Sequence, residues 1–259
     1  MATFLFDRIV YGPVYSRRLG VSLGVNISPA DGKCCSFNCI YCECGLNEQR
    51  QPQQQTPRRE EIQKAIEAKL LQMRDEGKDP DVLTFSGNGE PTLHPGFAGI
   101  IDDTLELRDR LCPQARVAVL SNSTMLHRED VFQALCKVDD NIMKLDSVLD
   151  SRIRQIDDPA IKDFAADEIV RQLCRFDGQI IIQTMFLRGE RDGVVIDNTL
   201  SAEVDAWIAA LKKINPRKVM IYTIARETPV KSLQKIPVSE LESIAEQARK
   251  EGFEVFVAG

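Results

Sequence analysis

The feature that most constrains the fold of this chain is a repeated alternation of short apolar runs with longer amphipathic stretches. The runs are rich in β-branched residues, and the stretches between them carry apolar residues at helical spacing. This order builds parallel sheets through right-handed crossovers. Apolar runs without polar alternation indicate strands that are buried on both faces. The sequence therefore predicts an α/β protein.

Six strand–helix units can be drawn, followed by a last strand. The predicted strands cover residues 20–27, 82–86, 116–121, 141–146, 179–185, 218–223 and 253–257. The predicted helices lie near residues 58–76, 95–111, 128–136, 161–176, 202–214 and 239–251. A closed barrel of this type needs eight units. We therefore predict a partial, open (β/α)6 barrel, with all 259 residues in one domain.

Polar side chains stand at the ends of five predicted strands. They are Ser86, Ser121 with Asn122, Lys144 with Asp146, Gln183 with Thr184, and Tyr222 with Thr223. The alternative interpretation is that these are ordinary loop residues. Because α/β proteins assemble their sites where the carboxyl ends of parallel strands converge, the recurrence favours a functional site at this edge.

Five of the eight cysteines lie between Cys34 and Cys44, in the loop after the first predicted strand. Cys35, Cys39 and Cys42 have the spacing C-x₃-C-x₂-C. Thiolates are the standard ligands of iron–sulfur clusters, and three of them on a [4Fe–4S] cube leave one iron without a protein ligand. We therefore predict that Cys35, Cys39 and Cys42 are metal ligands and that an exchangeable group completes the cluster.

Two other interpretations of these cysteines remain open. A zinc site or a ferredoxin-like cluster would use Cys34 or Cys44 as a fourth ligand, although zinc motifs usually come as two separated pairs. The remaining Cys112, Cys136 and Cys174 fall in predicted helices, where a free cysteine commonly serves as a small hydrophobe. A second cluster bound only by cysteines is therefore not expected.

A second motif, SGNGEPTL over residues 86–93, follows the second predicted strand. Together with the cysteine spacing and the aromatic Tyr41 before the third cysteine, it resembles the radical S-adenosylmethionine (SAM) superfamily, with Asn88 inserted between the glycines of a Gly-Gly-Glu-Pro segment. The resemblance implies a [4Fe–4S] cluster, SAM, and an external electron donor of the flavodoxin or ferredoxin type. It also implies reductive cleavage of SAM to a 5′-deoxyadenosyl radical, which abstracts a hydrogen from an unidentified substrate.

The same resemblance assigns candidate SAM contacts. They are Tyr41, Gly87, Gly89, Glu90, Ser121, Asn122, Lys144 and Asp146. Glu90 or a neighbouring backbone carbonyl would accept hydrogen bonds from the ammonium group of SAM. Lys144 would contact the carboxylate of SAM, and Asp146 its ribose. An ion pair between Lys144 and Asp146 inside the barrel is the alternative.

The opening segment, residues 11–26, resembles the branch grouped with wyosine-synthesis enzymes, which modify tRNA. Arg17 and Arg18 in this segment are candidate ligands for an anionic group of the substrate, because arginine forks suit phosphates and carboxylates. The segment Tyr-Thr-Ile-Ala-Arg from Tyr222 to Arg226 resembles another segment of that branch. Tyr222 and Arg226 are therefore further candidates for substrate binding.

Composition limits the partners and the compartment. The net charge of −6 and a pI near 5.2 argue against a broadly basic nucleic-acid surface. The sequence contains no apolar run of membrane-spanning length and no signal peptide, so we expect a cytoplasmic protein without a membrane partner. Three functions stay open: a radical SAM enzyme of unknown substrate, one that modifies tRNA, and an activase of a partner protein. A non-enzymatic iron–sulfur module is the distant fourth.

Overall fold

The computed structural model describes residues 4–16 and 19–259. Its strands are β1 (Val10–Ser16), β2 (Gly20–Val25), β3 (Val82–Phe85), β4 (Arg116–Ser121), β5 (Asp140–Lys144), β6 (Ile181–Met185), β7 (Leu187–Arg191), β8 (Val194–Asp197), β9 (Lys218–Tyr222), β10 (Gln234–Lys235) and β11 (Val255–Ala258). Its α-helices are α1 (Arg59–Asp75), α2 (Phe97–Leu111), α3 (Glu129–Lys137), α4 (Asp150–Ile156), α5 (Ala166–Cys174), α6 (Ser201–Ile214) and α7 (Val238–Lys250).

Eight strands form one sheet in the order β1-β2-β3-β4-β5-β6-β9-β11. Every pair from β2 to β11 is parallel, and each parallel strand except β11 is followed by a helical crossover to its neighbour. The sheet curls strongly into an open half-barrel. The predicted partial barrel is confirmed, and each of the seven predicted strands is present with small differences at its ends.

The first strand of the sheet, β1, was not predicted. It pairs antiparallel with β2, and the register shifts between Tyr11 and Val14. The Gly12-Pro13 dipeptide inside this segment reads as a turn in the sequence, because proline cannot donate a hydrogen bond to a sheet ladder. The edge position of β1 and its irregular register accommodate this proline.

Two more features depart from the prediction, one between β5 and β6 and one that pairs strands from both sides of β9. Helix α4 precedes α5, and the predicted helix over residues 161–176 begins only at Ala166. A three-stranded sheet of β10, β7 and β8 lies outside the main sheet. Each of these elements is short, so its periodicity is too weak to separate it from a loop.

The faces of the curled sheet determine where apolar and polar side chains meet. Early strand positions on the inner face, together with Leu19 just before β2, form a small apolar cluster of Leu19, Val82, Ala118, Ile142, Ile181 and Met220. Because side chains two residues apart share a face of a strand, Lys144 follows Ile142 and Tyr222 follows Met220 on the same face. The inner face is therefore apolar early along the strands and polar at their carboxyl ends.

Candidate functional site

The cysteine loop, residues 34–45, is fastened directly to the SGNGEPTL motif. Cys34 and Gly89 form a parallel β-bridge, in which the Cys34 amide donates to Asn88 O (2.9 Å) and the Glu90 amide donates to Cys34 O (2.8 Å). Gly89 has a φ of +143°, and a Cβ at this position would lie 1.8 Å from Cys34 O. Only glycine allows this contact. The two motifs therefore form one unit.

The opposite side of the cysteine loop is held by the end of α4. The Asn38 amide donates to Asp157 O at 2.8 Å, and the Ile40 amide donates to Ile156 O at 2.9 Å. The loop that carries the predicted metal ligands is thus attached to two segments that are far apart in sequence. This double attachment restricts the positions of Cys35, Cys39 and Cys42.

Asn88, the residue inserted between the two glycines, has a structural role. Its side chain is fully buried, its Nδ2 donates to Pro29 O (2.9 Å) and Phe6 O (2.8 Å), and its Oδ1 accepts from the Phe6 amide (2.8 Å). These bonds join the amino-terminal segment to the strand ends. Gly87, with a φ of +148°, packs against Asn26, whose Oδ1 would lie 2.5 Å from a Cβ at residue 87.

Glu90 organises the neighbouring strand end. Its Oε1 accepts hydrogen bonds from the Thr92 amide (3.1 Å), the Thr92 hydroxyl (2.5 Å) and the Ser121 hydroxyl (2.9 Å). Its Oε2 accepts from the Asn122 amide at 2.6 Å. Burial raises the pKa of the Glu90 carboxyl although these donors oppose the rise. The Glu90 side chain therefore ties the SGNGEPTL motif to the end of β4.

Asn122 connects the end of β4 to the cysteine loop. Its Nδ2 donates to the Ser36 hydroxyl at 2.9 Å and lies 3.7 Å from the sulfur of Cys35. Its Oδ1 accepts from the Thr124 amide at 3.1 Å and from the Thr124 hydroxyl at 2.8 Å. Of the predicted pair of Ser121 and Asn122, Asn122 thus lies beside the first predicted metal ligand.

A buried charged group lies beneath the loop at the end of β5. The Lys144 ammonium contacts Asp146 Oδ2, the Tyr41 hydroxyl and, at 2.5 Å, Asp157 Oδ1. It also lies 3.5 Å from the sulfur of Cys39. The Tyr41 hydroxyl donates to Asp146. The Lys144–Asp146 ion pair, which was the alternative to separate SAM contacts, is therefore present, and it includes Tyr41 from the loop.

The pKa values in this group follow from burial and charge. Burial lowers the pKa of Lys144, but the carboxylates of Asp146 and Asp157 outweigh this effect and hold it well above its usual value. Burial also raises the pKa of Asp157 to about 7 and that of Tyr41 well above its usual range. Lys144 is therefore held as a cation among polar groups at the carboxyl end of β5.

The thiols of the loop differ from one another in acidity. Burial raises the pKa of Cys35 to about 12 and that of Cys39 well above its usual value. A hydrogen bond with Cys44 lowers the pKa of Cys42 to about 6, and Lys33 contributes in the same direction. Cys44 is buried, and its sulfur contacts Gly87 O at 3.3 Å.

Two charged residues of this site were not predicted. Lys33 precedes the loop, is only 4% exposed and donates from Nζ to Gly45 O at 2.9 Å. Burial lowers the pKa of Lys33, but the sulfur atoms of Cys42, Cys35 and Cys39 outweigh this effect and raise it. Asp157 is 2% exposed and comes from the end of α4. In the sequence, adjacency to the cysteine motif was the only signal for Lys33, and Asp157 carried none.

The structure describes only two of the four predicted substrate-binding residues. Arg226 is exposed and pairs with Glu43 of the cysteine loop at 2.5 Å, so its segment contacts the site. Tyr222 is half-buried at the end of β9 and packs against the apolar cluster that contains Ile40 of the cysteine loop. Arg17 and Arg18 lie outside the described residues.

The donor set fits an iron–sulfur cluster with an exchangeable ligand. Cys35, Cys39 and Cys42 would supply three thiol ligands, and Lys33 places a buried cation beside them. Within residues 4–16 and 19–259, no three His, Cys, Asp or Glu side chains are arranged to hold a single metal ion. The ligands of a cube bind different irons, so they do not have to converge on one point.

The described residues contain no helix with the length and apolarity that a membrane crossing requires.

The family model described as "Radical SAM superfamily" matches residues 31–197. A UPF0026 protein of Helicobacter pylori is 34% identical over 232 residues, which cover 86% of this chain and 68% of that protein. A UPF0026 protein of Methanocaldococcus jannaschii is 32% identical over 225 residues, which cover 84% of this chain and 64% of that protein.

Solved structures resemble the fold at low sequence identity. A radical SAM methyltransferase from Sphaerobacter thermophilus has a TM-score of 0.67 at 14% identity and covers 92% of this chain and 65% of its own. Streptococcus suis SuiB bound to S-adenosylmethionine scores 0.65 at 13%, with coverages of 91% and 50%. TYW1 with a lysine-pyruvate adduct bound scores 0.62 at 16%, with coverages of 88% and 73%. The chain thus spans about two thirds of these curated relatives and between half and about three quarters of these neighbours.

Proposed function

Because this chain belongs to the radical SAM superfamily and groups with the UPF0026 proteins, we propose that it cleaves SAM reductively at a [4Fe–4S] cluster bound by Cys35, Cys39 and Cys42. The superfamily uses a [4Fe–4S] cluster together with SAM, and this chain is an enzyme of the radical SAM class. The chemistry that the bound cluster and SAM supply is one-electron cleavage of the sulfonium to methionine and a 5′-deoxyadenosyl radical, which takes a hydrogen atom from the substrate. The residues of this chain bind, orient and shield.

The observation that carries this proposal is the bridge between Cys34 and Gly89. It joins the loop of the three predicted ligands to the motif that would hold the methionyl end of SAM. Three thiolates leave one iron of a cube open. A ligand on that iron would lie against the neighbouring strand ends, where α/β proteins place their sites.

We assign the SAM contacts to the strand ends nearest to the loop. Gly87 and Gly89 allow close approach of the backbone to a ligand. Glu90 accepts four hydrogen bonds from the protein, so we assign it the task of positioning Ser121 and Asn122 as well as contacting the ammonium group. In this arrangement, the polar side chains of Ser121 and Asn122 face SAM at the end of β4.

The buried group of Tyr41, Lys144 and Asp146 would face the remainder of SAM. Lys144 is protonated and attracts a carboxylate, while Asp146 accepts hydrogen bonds from hydroxyl groups. Their mutual ion pair keeps both side chains in place. Access of water to this interior is low, because Asp146 is buried and the Lys144 side chain is only 15% exposed.

The remaining parts of the proposal concern partners and organisation. The enzyme would receive its electron from a flavodoxin or ferredoxin in a reducing compartment, the cytoplasm. All 259 residues would form a single radical SAM domain, with residues 1–33 as lead-in and first strand, residues 34–45 as cluster loop and residues 46–259 as the remaining units.

The direct test is anaerobic reconstitution of the whole chain with iron and sulfide, followed by reduction in the presence of SAM. We expect about four irons per chain and release of 5′-deoxyadenosine, measured by liquid chromatography. Cys39→Ala should give neither, whereas Cys136→Ala, an exposed cysteine on α3, should match the parent. A parent protein that assembles a cluster but forms no 5′-deoxyadenosine under these conditions would refute the proposal.

A tRNA substrate is a second candidate, favoured by the opening segment and by the exposed Arg226 beside the loop. Among the structural neighbours, SuiB is known bound to the precursor peptide SuiA, so a peptide is the competing class. Binding of unmodified tRNA that weakens steeply with salt would support the RNA candidate. Binding that is absent at low salt would exclude it.

A further inference from the structure

Lys33 closes the base of the cysteine loop. Its amide donates to Arg50 O at 2.6 Å, and its ammonium reaches across the loop to Gly45 O at 2.9 Å. The residue is 4% exposed. The ammonium is therefore held in the protein interior, between the two ends of the segment that carries all three predicted ligands.

The surroundings of this ammonium set it apart from two other largely buried cations. Lys144 has Asp146 and Asp157, and Arg152 has Glu203 at 2.8 Å. Among the residues that the structure describes, Lys33 forms no ion pair with a carboxylate, and the oxygen that accepts a hydrogen bond from its ammonium is a neutral carbonyl. Gly45, whose carbonyl accepts from this ammonium, donates from its own amide to Cys42 O at 2.9 Å, so the ammonium is fastened to the turn that carries the third predicted ligand.

A buried cation without an anion is strongly unfavourable in a protein interior. Three thiolates give a cluster in this loop a negative net charge, and an added electron makes that charge more negative. The attraction between two opposite charges increases with the product of the charges and is stronger where the dielectric constant is low. A fixed cation at this position therefore stabilises the reduced cluster more than the oxidised one. Local charge and hydrogen bonds to sulfur are established determinants of cluster potential.

We propose that Lys33 is the built-in counter-charge of the iron–sulfur cluster and raises the potential at which the cluster accepts its electron. This inference rests on the proposed function, because it needs a cluster in this loop. Lys33 acts through the cluster and does not touch the substrate. It makes one-electron reduction by an external donor easier.

The test is a redox titration of the reconstituted whole protein, followed by electron paramagnetic resonance of the reduced cluster. We expect Lys33→Met to lower the equilibrium constant for reduction by about tenfold or more, which is ~59 mV for a one-electron couple. Lys33→Arg keeps the charge and should stay within about threefold of the parent. Lys64→Met removes an exposed charge on α1 and should match the parent.

Each outcome separates the two proposals. A parent protein that assembles no cluster refutes the proposed function, before Lys33 is considered. A parent with a cluster and a Lys33→Met variant with the same potential overturn the counter-charge. If Lys33→Met and Lys33→Gln assemble no cluster while Lys33→Arg does, a cation is required at this position and the inference is supported. If Lys33→Arg also fails, the role belongs to the shape of the lysine, and the inference is overturned.

Discussion

The carbonyl oxygen of Cys34 lies so close to Gly89 that a Cβ at residue 89 would stand 1.8 Å from it. This contact joins the loop of predicted metal ligands to the predicted SAM motif through two backbone hydrogen bonds, at 2.9 Å and 2.8 Å. Both partners of the contact are backbone, so neither can turn away as a side chain would. The geometry of the site therefore depends on the absence of a Cβ atom at residue 89.

Replacing Gly89 by alanine should displace the cysteine loop and strongly reduce cluster assembly. We expect severalfold less iron and sulfide per chain after anaerobic reconstitution. Gly252→Ala is the matched control, because Gly252 also has a positive φ, of +95°, but no atom lies within 4 Å of a Cβ built there. Both variants carry a backbone strain of about 1–3 kcal/mol. Parent-level iron in Gly89→Ala would contradict the role of this contact.

Cys44 and Cys42 should differ in their effect on the cluster, although they lie two residues apart. Cys44 directs its sulfur toward Gly87 O at 3.3 Å. We therefore expect Cys44→Ala to retain the iron content of the parent and Cys42→Ala to lose most of it, as measured by iron and sulfide analysis. Equal loss in both variants would indicate four cysteine ligands and a closed cluster.

Loss of the Glu90 carboxylate should destabilise the end of β4. Glu90→Ala removes the acceptor of the Thr92, Ser121 and Asn122 donors, and each buried donor left unpaired costs about 1–3 kcal/mol. We expect a decrease of at least about 2 kcal/mol in the free energy of unfolding, measured by urea denaturation. The exposed Glu60→Ala on α1 is the control and should change it by less than about 0.5 kcal/mol. Equal values for the two variants would refute this role of Glu90.

Replacing Lys144 should lower the free energy of unfolding strongly. Lys144→Met leaves Asp146 and Asp157 in the interior without their cation, and removing one partner of a buried ion pair costs about 3–5 kcal/mol. The double variant Lys144→Met with Asp157→Asn should recover part of this loss, because one uncompensated carboxylate is gone. Urea denaturation of the single and double variants measures both. A double variant no more stable than Lys144→Met would contradict the coupling.

Much of the architecture could be predicted because its signals are local. The apolar runs that became β2 to β6, β9 and β11 are recognisable without knowledge of their neighbours, since a strand buried on both faces needs little else. Strand β1 could not be predicted, because its Pro13 is compatible only with an edge and the sequence does not state which strand forms the edge.

The sequence by itself determined the chemistry of the loop, because the spacing of Cys35, Cys39 and Cys42 places three thiols within eight residues and no distant segment is needed to recognise them. Only the tertiary structure decided which charged side chains lie near these thiols. Asp157 reaches Lys144 from the end of α4, and the burial of Lys33 depends on the folding of the loop back to Gly45. The energy of a charge depends on its desolvation and on its partners, and both are set by segments that meet only in the folded protein.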